Sequence, residues 1–241
     1  MEITVIIGVV IVSALLGTIL FLKTRGKKDV SLETSESSVL IGKQVWMESN
    51  LNVERFRNND IIKYAENEDD WVSAANNNEP AWCYYKNNSS DTNYGKLYNW
   101  FAISDPRGLA PKGYKVPNKI DWEYLLNELG GEELALKKIK SEQGWESPHS
   151  KDKNGTNESK FNALPVGSRK SNGKFPVMGF IECGFWCYDA GINDWTGDKR
   201  PYCFSLDNYE SKNTLGFERI GTKDPSMGFS VRCLKDSEFT R

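Results

Sequence analysis

Histidine is almost missing from this 241-residue chain. The one instance, His149, sits in the polar run Glu146-Ser147-Pro148-His149-Ser150. Zinc sites built on two or more imidazoles, His-Glu-x-x-His included, are therefore excluded, and a Ser-His-Asp or Cys-His arrangement would have to use His149. Its setting is that of a solvated loop residue. Also lacking are a Gly-rich phosphate loop, a Gly-x-Ser-x-Gly elbow and a paired-acid signature. The net charge is -2 and the pI near 5.7, with no basic stripe interleaved with aromatics. That excludes a nucleic-acid partner. No cofactor is expected.

One stretch lacks charge altogether. Residues 3–22, ITVIIGVVIVSALLGTILFL, carry only Thr4, Ser13 and Thr18 as polar side chains. Twenty residues at 1.5 Å each span about 30 Å, the thickness of the hydrocarbon core. A cleavable signal would begin with positive charge, be shorter and end at a small-x-small site. This run begins Met1-Glu2 and has no Cys near its end to accept a lipid. It reads as a retained single-pass anchor whose partner is the lipid bilayer. Lys23, Arg25, Lys27 and Lys28 follow at once, and basic flanks stay inside. The soluble part is thus expected on the cytoplasmic side, with a periplasmic or surface location as the alternative. Ser13 with Gly17 and Ala14 with Thr18 form small-xxx-small pairs that would allow a homo-oligomer through the helix. The polar, acidic stretch 29–38 reads as a linker. The division is 1–22 transmembrane helix, 23–38 basic flank and linker, 39–236 domain, and 237–241 tail.

Aromatics are abundant: eight Trp, ten Tyr and eleven Phe. With plentiful Gly and Asn they indicate a loop-rich domain braced by rings, not a disordered chain. Val39–Met47 reads as one strand, and Asp69–Ala75 as a short helix with acids in its first turn. The clearest helix follows Pro117. Asn118 caps it, Asp121 sits three residues on, and Trp122, Leu125, Leu126 and Leu129 share one face before Gly130-Gly131. Ser171-Asn172-Gly173-Lys174 signals a tight turn between two short strands. Gly184–Tyr188, Tyr202–Leu206 and Gly228–Cys233 are further strand candidates. Helices early and strands late give an α+β class with a mostly antiparallel sheet.

Five segments together carry a resemblance. They are Ile41–Asn52, Trp82–Tyr85, Tyr94–Ala102, Gly108–Pro117 with Trp122, and Gly228–Cys233. Their order and spacing resemble the Fibrobacter succinogenes major paralogous (FISUMP) domain family, over about residues 40–236. The resemblance implies a C-type-lectin-like fold related to the formylglycine-generating sulfatase-modifying domain. The first and last strands would then pair, setting Val39–Met47 beside Gly228–Cys233, and long loops would form a ligand face. Family members are mostly bacterial surface proteins without assigned biochemistry, so the resemblance implies a fold and no reaction.

The five cysteines, Cys83, Cys183, Cys187, Cys203 and Cys233, leave three readings open. They are buried free thiols, or one or more disulfides, or a zinc site from the last four. Cys83 with Cys233 is the first disulfide candidate because both lie in the family segments. Cys183-x3-Cys187 has neither the spacing nor the setting of the formylglycine-generating thiol pair. The candidate ligand-face loop is Asp189, Asn193, Asp194, Trp195 and Asp198, whose oxygens could hold a hard cation. The sequence thus points to a membrane-anchored, non-enzymatic binding or scaffold module for a protein or glycan. The rival is a thiol- or zinc-dependent enzyme built around Cys183, Cys187 and Cys203.

Overall fold

The structure, a computed structural model, describes residues 37–90, 92–146, 153–176, 182–193, 196–207 and 220–236. The apolar run 3–22, most of the linker, His149, Asp194 and Trp195 lie outside the described residues. Among the described residues, no helix is long and apolar enough to cross a membrane.

The described residues form an α+β domain with three small sheets and few helices. The first sheet has the order β1-β2-β10-β6, from Ser38–Ile41, Gln44–Met47, Leu234–Lys235 and Tyr114–Lys115. Val39–Met47 is therefore not one strand. Gly42, at φ 58°, folds it into a hairpin, because a two-residue hairpin turn needs positive φ, which glycine adopts without strain. The last described strand meets this hairpin through β2 and not β1: Leu234 pairs with Trp46, Met47 N–H donates to Cys233 O at 3.0 Å, and Leu51 N–H donates to Val231 O at 2.8 Å. The regular pairing falls just after Gly228–Cys233. That segment instead bridges Tyr98, Arg169 and Phe185, joining all three sheets.

The second sheet is β3 (Lys63–Tyr64), β4 (Ala81–Cys83) and β5 (Leu97–Tyr98), with β3 and β4 parallel. The third is β7 (Glu182–Ile192), β8 (Lys199–Asp207) and β9 (Ile220–Thr222), antiparallel throughout. Among the described residues, four α-helices accompany them: α1 (Glu68–Asn76), α2 (Trp100–Ile103), α3 (Lys119–Glu128) and α4 (Glu132–Ile139). In α3 the expected cap is a full capping box. Asn118 Oδ1 accepts from Asp121 N–H, and Asp121 Oδ2 accepts from Asn118 N–H at 2.9 Å. Trp122, Leu125, Leu126 and Leu129 are all buried. The turn at Ser171–Lys174 is present, with Gly173 at φ 81°, but no regular strand flanks it.

β7 and β8 form a wall with core on both sides. Alternate residues of a strand face opposite ways. Cys183, Phe185 and Cys187 with Phe204 and Leu206 enter a core containing Trp46, Trp122 and Phe161. Trp186 and Cys203 enter another, with Tyr98, Phe229 and Cys233. On that second side Gly184 lies under Phe229, where an added Cβ would come within 2.2 Å of Cδ1. A third core gathers Trp71, Cys83, Leu97 and Val166. In the first, Trp122 stacks on Phe204 with centroids 4.5 Å apart. Burying rings of this size is the largest apolar term the sequence offers.

Candidate functional site

The thiols come first because the enzyme reading depended on them. All five are buried, and none is in a disulfide. The candidate Cys83–Cys233 disulfide is not formed. Cys83 lies on β4 in the core around Trp71, while Cys233 packs with Met47 and Trp186 in another. Cys183 and Cys187 point to one side of the β7–β8 wall and Cys203 to the other. The alternation of the strands thus separates the three thiols that a shared centre would need. Among the described residues, no group of three or more His, Cys, Asp or Glu could hold a metal ion. Burial pushes the Cys83 thiol up to about 11 and Cys203 to about 12, and lifts Cys183 and Cys187 as well. The thiolate is the reactive species, so these environments suppress thiol chemistry.

The described residues of the late loop, Asp189, Asn193 and Asp198, do not converge. Asp189 Oδ1 accepts from Lys119 N–H at 2.9 Å, capping the start of α3. Asn193 orders the β7–β8 turn: its Oδ1 accepts from Thr196 N–H, and its Nδ2 donates to Thr222 Oγ1 at 2.8 Å. Asp198 faces solvent near Arg200, at 3.7 Å. The described members of the loop are thus spent on local structure in different directions. Asp194 and Trp195 lie outside the described residues.

Sequence reasoning missed three buried cations. Arg232 is 1% exposed and has only neutral acceptors. Its Nε and Nη2 donate to Asn50 Oδ1 at 3.1 and 2.6 Å, and Nη1 donates to the carbonyls of Met47 and Phe161. Its guanidinium lies 4.4 Å from the Phe161 ring. Burial pulls its pKa down to about 10. Arg169 likewise donates to the carbonyls of Gly173, Ala65 and Asn67, between Trp71 and Phe175. Lys96 Nζ donates to Asn52 Oδ1 at 2.6 Å and to Asn52 O at 3.1 Å. The available signal was a single cation inside an apolar run, as in Ser230-Val231-Arg232-Cys233 and Gly95-Lys96-Leu97-Tyr98. Arg232, Lys96, Asn50 and Asn52 all fall in the segments that carried the resemblance, and their work is to tie loops together. Asn99, in the same segments, accepts from both Ala81 N–H and Ala102 N–H.

One aromatic tier reaches the surface. Tyr64 stacks on Trp82 with centroids 4.5 Å apart and meets Tyr84 edge-on at 5.9 Å. Among the described residues β3 is an edge strand, and Tyr64 is 36% exposed.

The family model for the Fibrobacter succinogenes major domain matches residues 39–235. The chain belongs to this family. The match takes in every described element from Val39 of β1 to Lys235 of β10. Within this Fibrobacter succinogenes major domain, Arg232, Asn50, Asn52, Lys96 and Asn99 of the shared segments brace the interior. No curated protein and no solved structure matches the chain.

Proposed function

We propose that this chain is a single-pass membrane-anchored, non-enzymatic binding or scaffold module that recognises a protein or a glycan as one component of a membrane assembly. The carrying observation is the Tyr64–Trp82–Tyr84 tier at the edge of the second sheet. A rigid ring braced from beneath offers contact area at low entropic cost, to a sugar face or to an apolar side chain. The C-type-lectin-like relation belongs to the same reading, supported by short strands joined by long irregular connections on which ligands are commonly bound. Against the thiol-enzyme reading stand the raised thiol pKa values and the split of Cys183 and Cys187 from Cys203 across the wall.

The test is capture on glycan arrays and crosslinking in membranes with the full chain and with Tyr64→Ala. The variant should melt as the parent does and lose about tenfold or more in retained ligand, as a central aromatic contact does. Undiminished binding would move the site elsewhere. Turnover dependent on Cys183 or Cys187 would replace the binding reading with the enzymatic one. We place the domain on the cytoplasmic side from the basic residues after position 22. Digestion of the domain by protease added to sealed spheroplasts would reverse that placement.

A further inference from the structure

Lys96 differs from the two buried arginines in its chemistry, because a deprotonated lysine amine is a nucleophile. The side chain is only 2% exposed. Its Nζ is held against the carboxamide of Asn52, 2.6 Å from Oδ1, and is fixed a second time by the Asn52 backbone carbonyl. Glu54 Oε1 lies 3.4 Å from the same nitrogen, with its side chain open to solvent. The rings of Trp82 and Tyr84 cover Nζ at 4.5 and 5.1 Å. An amine, a carboxamide and a carboxylate are thus gathered in a partly dry pocket of fixed geometry. Reactants held in contact in this way react far faster than the same groups in solution.

We infer that Lys96 and Asn52 join through an intramolecular isopeptide bond, with Glu54 as the proton carrier. Glu54 takes a proton from Nζ, and the freed lone pair attacks Cγ of Asn52. The tetrahedral adduct collapses by expelling the carboxamide nitrogen. A C–N bond forms and a C–N bond breaks, with no change of oxidation state. The departing nitrogen takes its protons from Nζ and from Glu54 and leaves as ammonium, so Glu54 ends as the carboxylate it began as. Burial lowers the Lys96 pKa, although Glu54 pulls it the other way, and the lowering favours the neutral nucleophile. The product closes a covalent ring over residues 52–96, enclosing β3, α1, β4 and the loop before β5. It needs no oxidant and forms on either side of a membrane, unlike a disulfide. The inference is independent of the binding reading.

The test is the intact mass of the full chain, extracted in detergent and denatured, followed by a protease digest. The expected result is a mass lower by one ammonia and a branched peptide joining residues 52 and 96. The unreduced full mass would overturn the inference. So would a loss of ammonia mapped to a succinimide at Asn154-Gly155 or Asn172-Gly173. Lys96→Arg keeps the cation and must show the full mass. Glu54→Gln should raise the unlinked fraction from nearly none to nearly all, and a fully linked Glu54→Gln chain would remove Glu54 from the proton transfer. The parent measurement decides the main question even if both variants fail to fold.

Discussion

Arg232 and Arg107 carry the same side chain into opposite surroundings. Arg107 lies near the surface, with Nη2 2.8 Å from Asp105 Oδ2, Nη1 3.1 Å from Asp60 Oδ2, and its guanidinium over the Phe56 ring. The two carboxylates raise its pKa further above the ordinary range. In return, Arg107 holds Asp105 below the usual carboxylate range, and Asn58 and Arg107 together do the same for Asp60. Arg232 is enclosed, faces an amide oxygen and backbone carbonyls, and is pulled down by desolvation. The ion pairs at the surface are worth little because water competes for both charges. Inside, the guanidinium is destabilised as a charge, yet it satisfies oxygens from two distant parts of the chain, around residues 47–50 and 161–162, and those oxygens cannot reach water without it. The fork geometry, more than the charge, makes the interior site.

The largest expected effect follows from removing the interior seam outright. Deleting residues 232–241 takes away Arg232 and β10 together, and the remaining chain should show no cooperative thermal transition. Unchanged melting would show that the seam is dispensable. Next, Arg232→Met should cost about 3–5 kcal/mol in urea unfolding, from several acceptors left buried without donors. Arg232→Lys should recover less than half of it, since a lysine cannot fork.

The buried thiols extend the interior side of the comparison to alkaline pH. Cys83 is raised from 9.0 to about 11 in the folded state. The unfolded chain therefore releases its proton first, and stability falls as pH rises from the unfolded value through the folded one. Between those values the loss from Cys83 should be about 2–3 kcal/mol, and Cys83→Ala should flatten that limb of the pH profile. In the native state none of the five thiols should react with a disulfide reagent.

The smallest effect belongs to Arg107→Gln, which should lower the urea midpoint at pH 7 only slightly. Its signature lies in acid. Asp105 and Asp60 have lowered folded pKa values, so their stabilisation is present above the ordinary carboxylate pKa and disappears as pH falls through the folded values. The small deficit of the variant should therefore be present at pH 7 and vanish as pH falls through the folded values of Asp105 and Asp60.

Local chemistry was the legible part of the sequence. Asn118, Asp121 and the stripe from Trp122 to Leu129 specify α3 within a dozen residues, and the structure has that helix with its capping box. α4 escaped because Gly130-Gly131 reads as a stop, although Gly131 is in fact the N-cap of a new helix carrying Glu132 and Glu133 first and Lys137 and Lys138 last. Val39–Met47 reads as one strand because β-branched and aromatic residues lie on both sides of Gly42, which is the turn of a hairpin. The partners of Arg232 were illegible for a different reason. Asn50 lies 182 positions away and Phe161 lies 71, and no local pattern announces such a contact. The late loop misled because Asp189 looks like a free oxygen donor until the start of α3 is brought against it.

The first sheet also determines how the domain can be joined to other chains. Val39 lies opposite Trp46, and Trp46 lies opposite Leu234, so the points where the chain enters and leaves the fold are separated by two strand spacings, about 10 Å. A domain with neighbouring ends is a cassette: it can be inserted into a surface loop of a host protein, repeated in tandem, or circularly permuted with a short bridge, without stretching either partner.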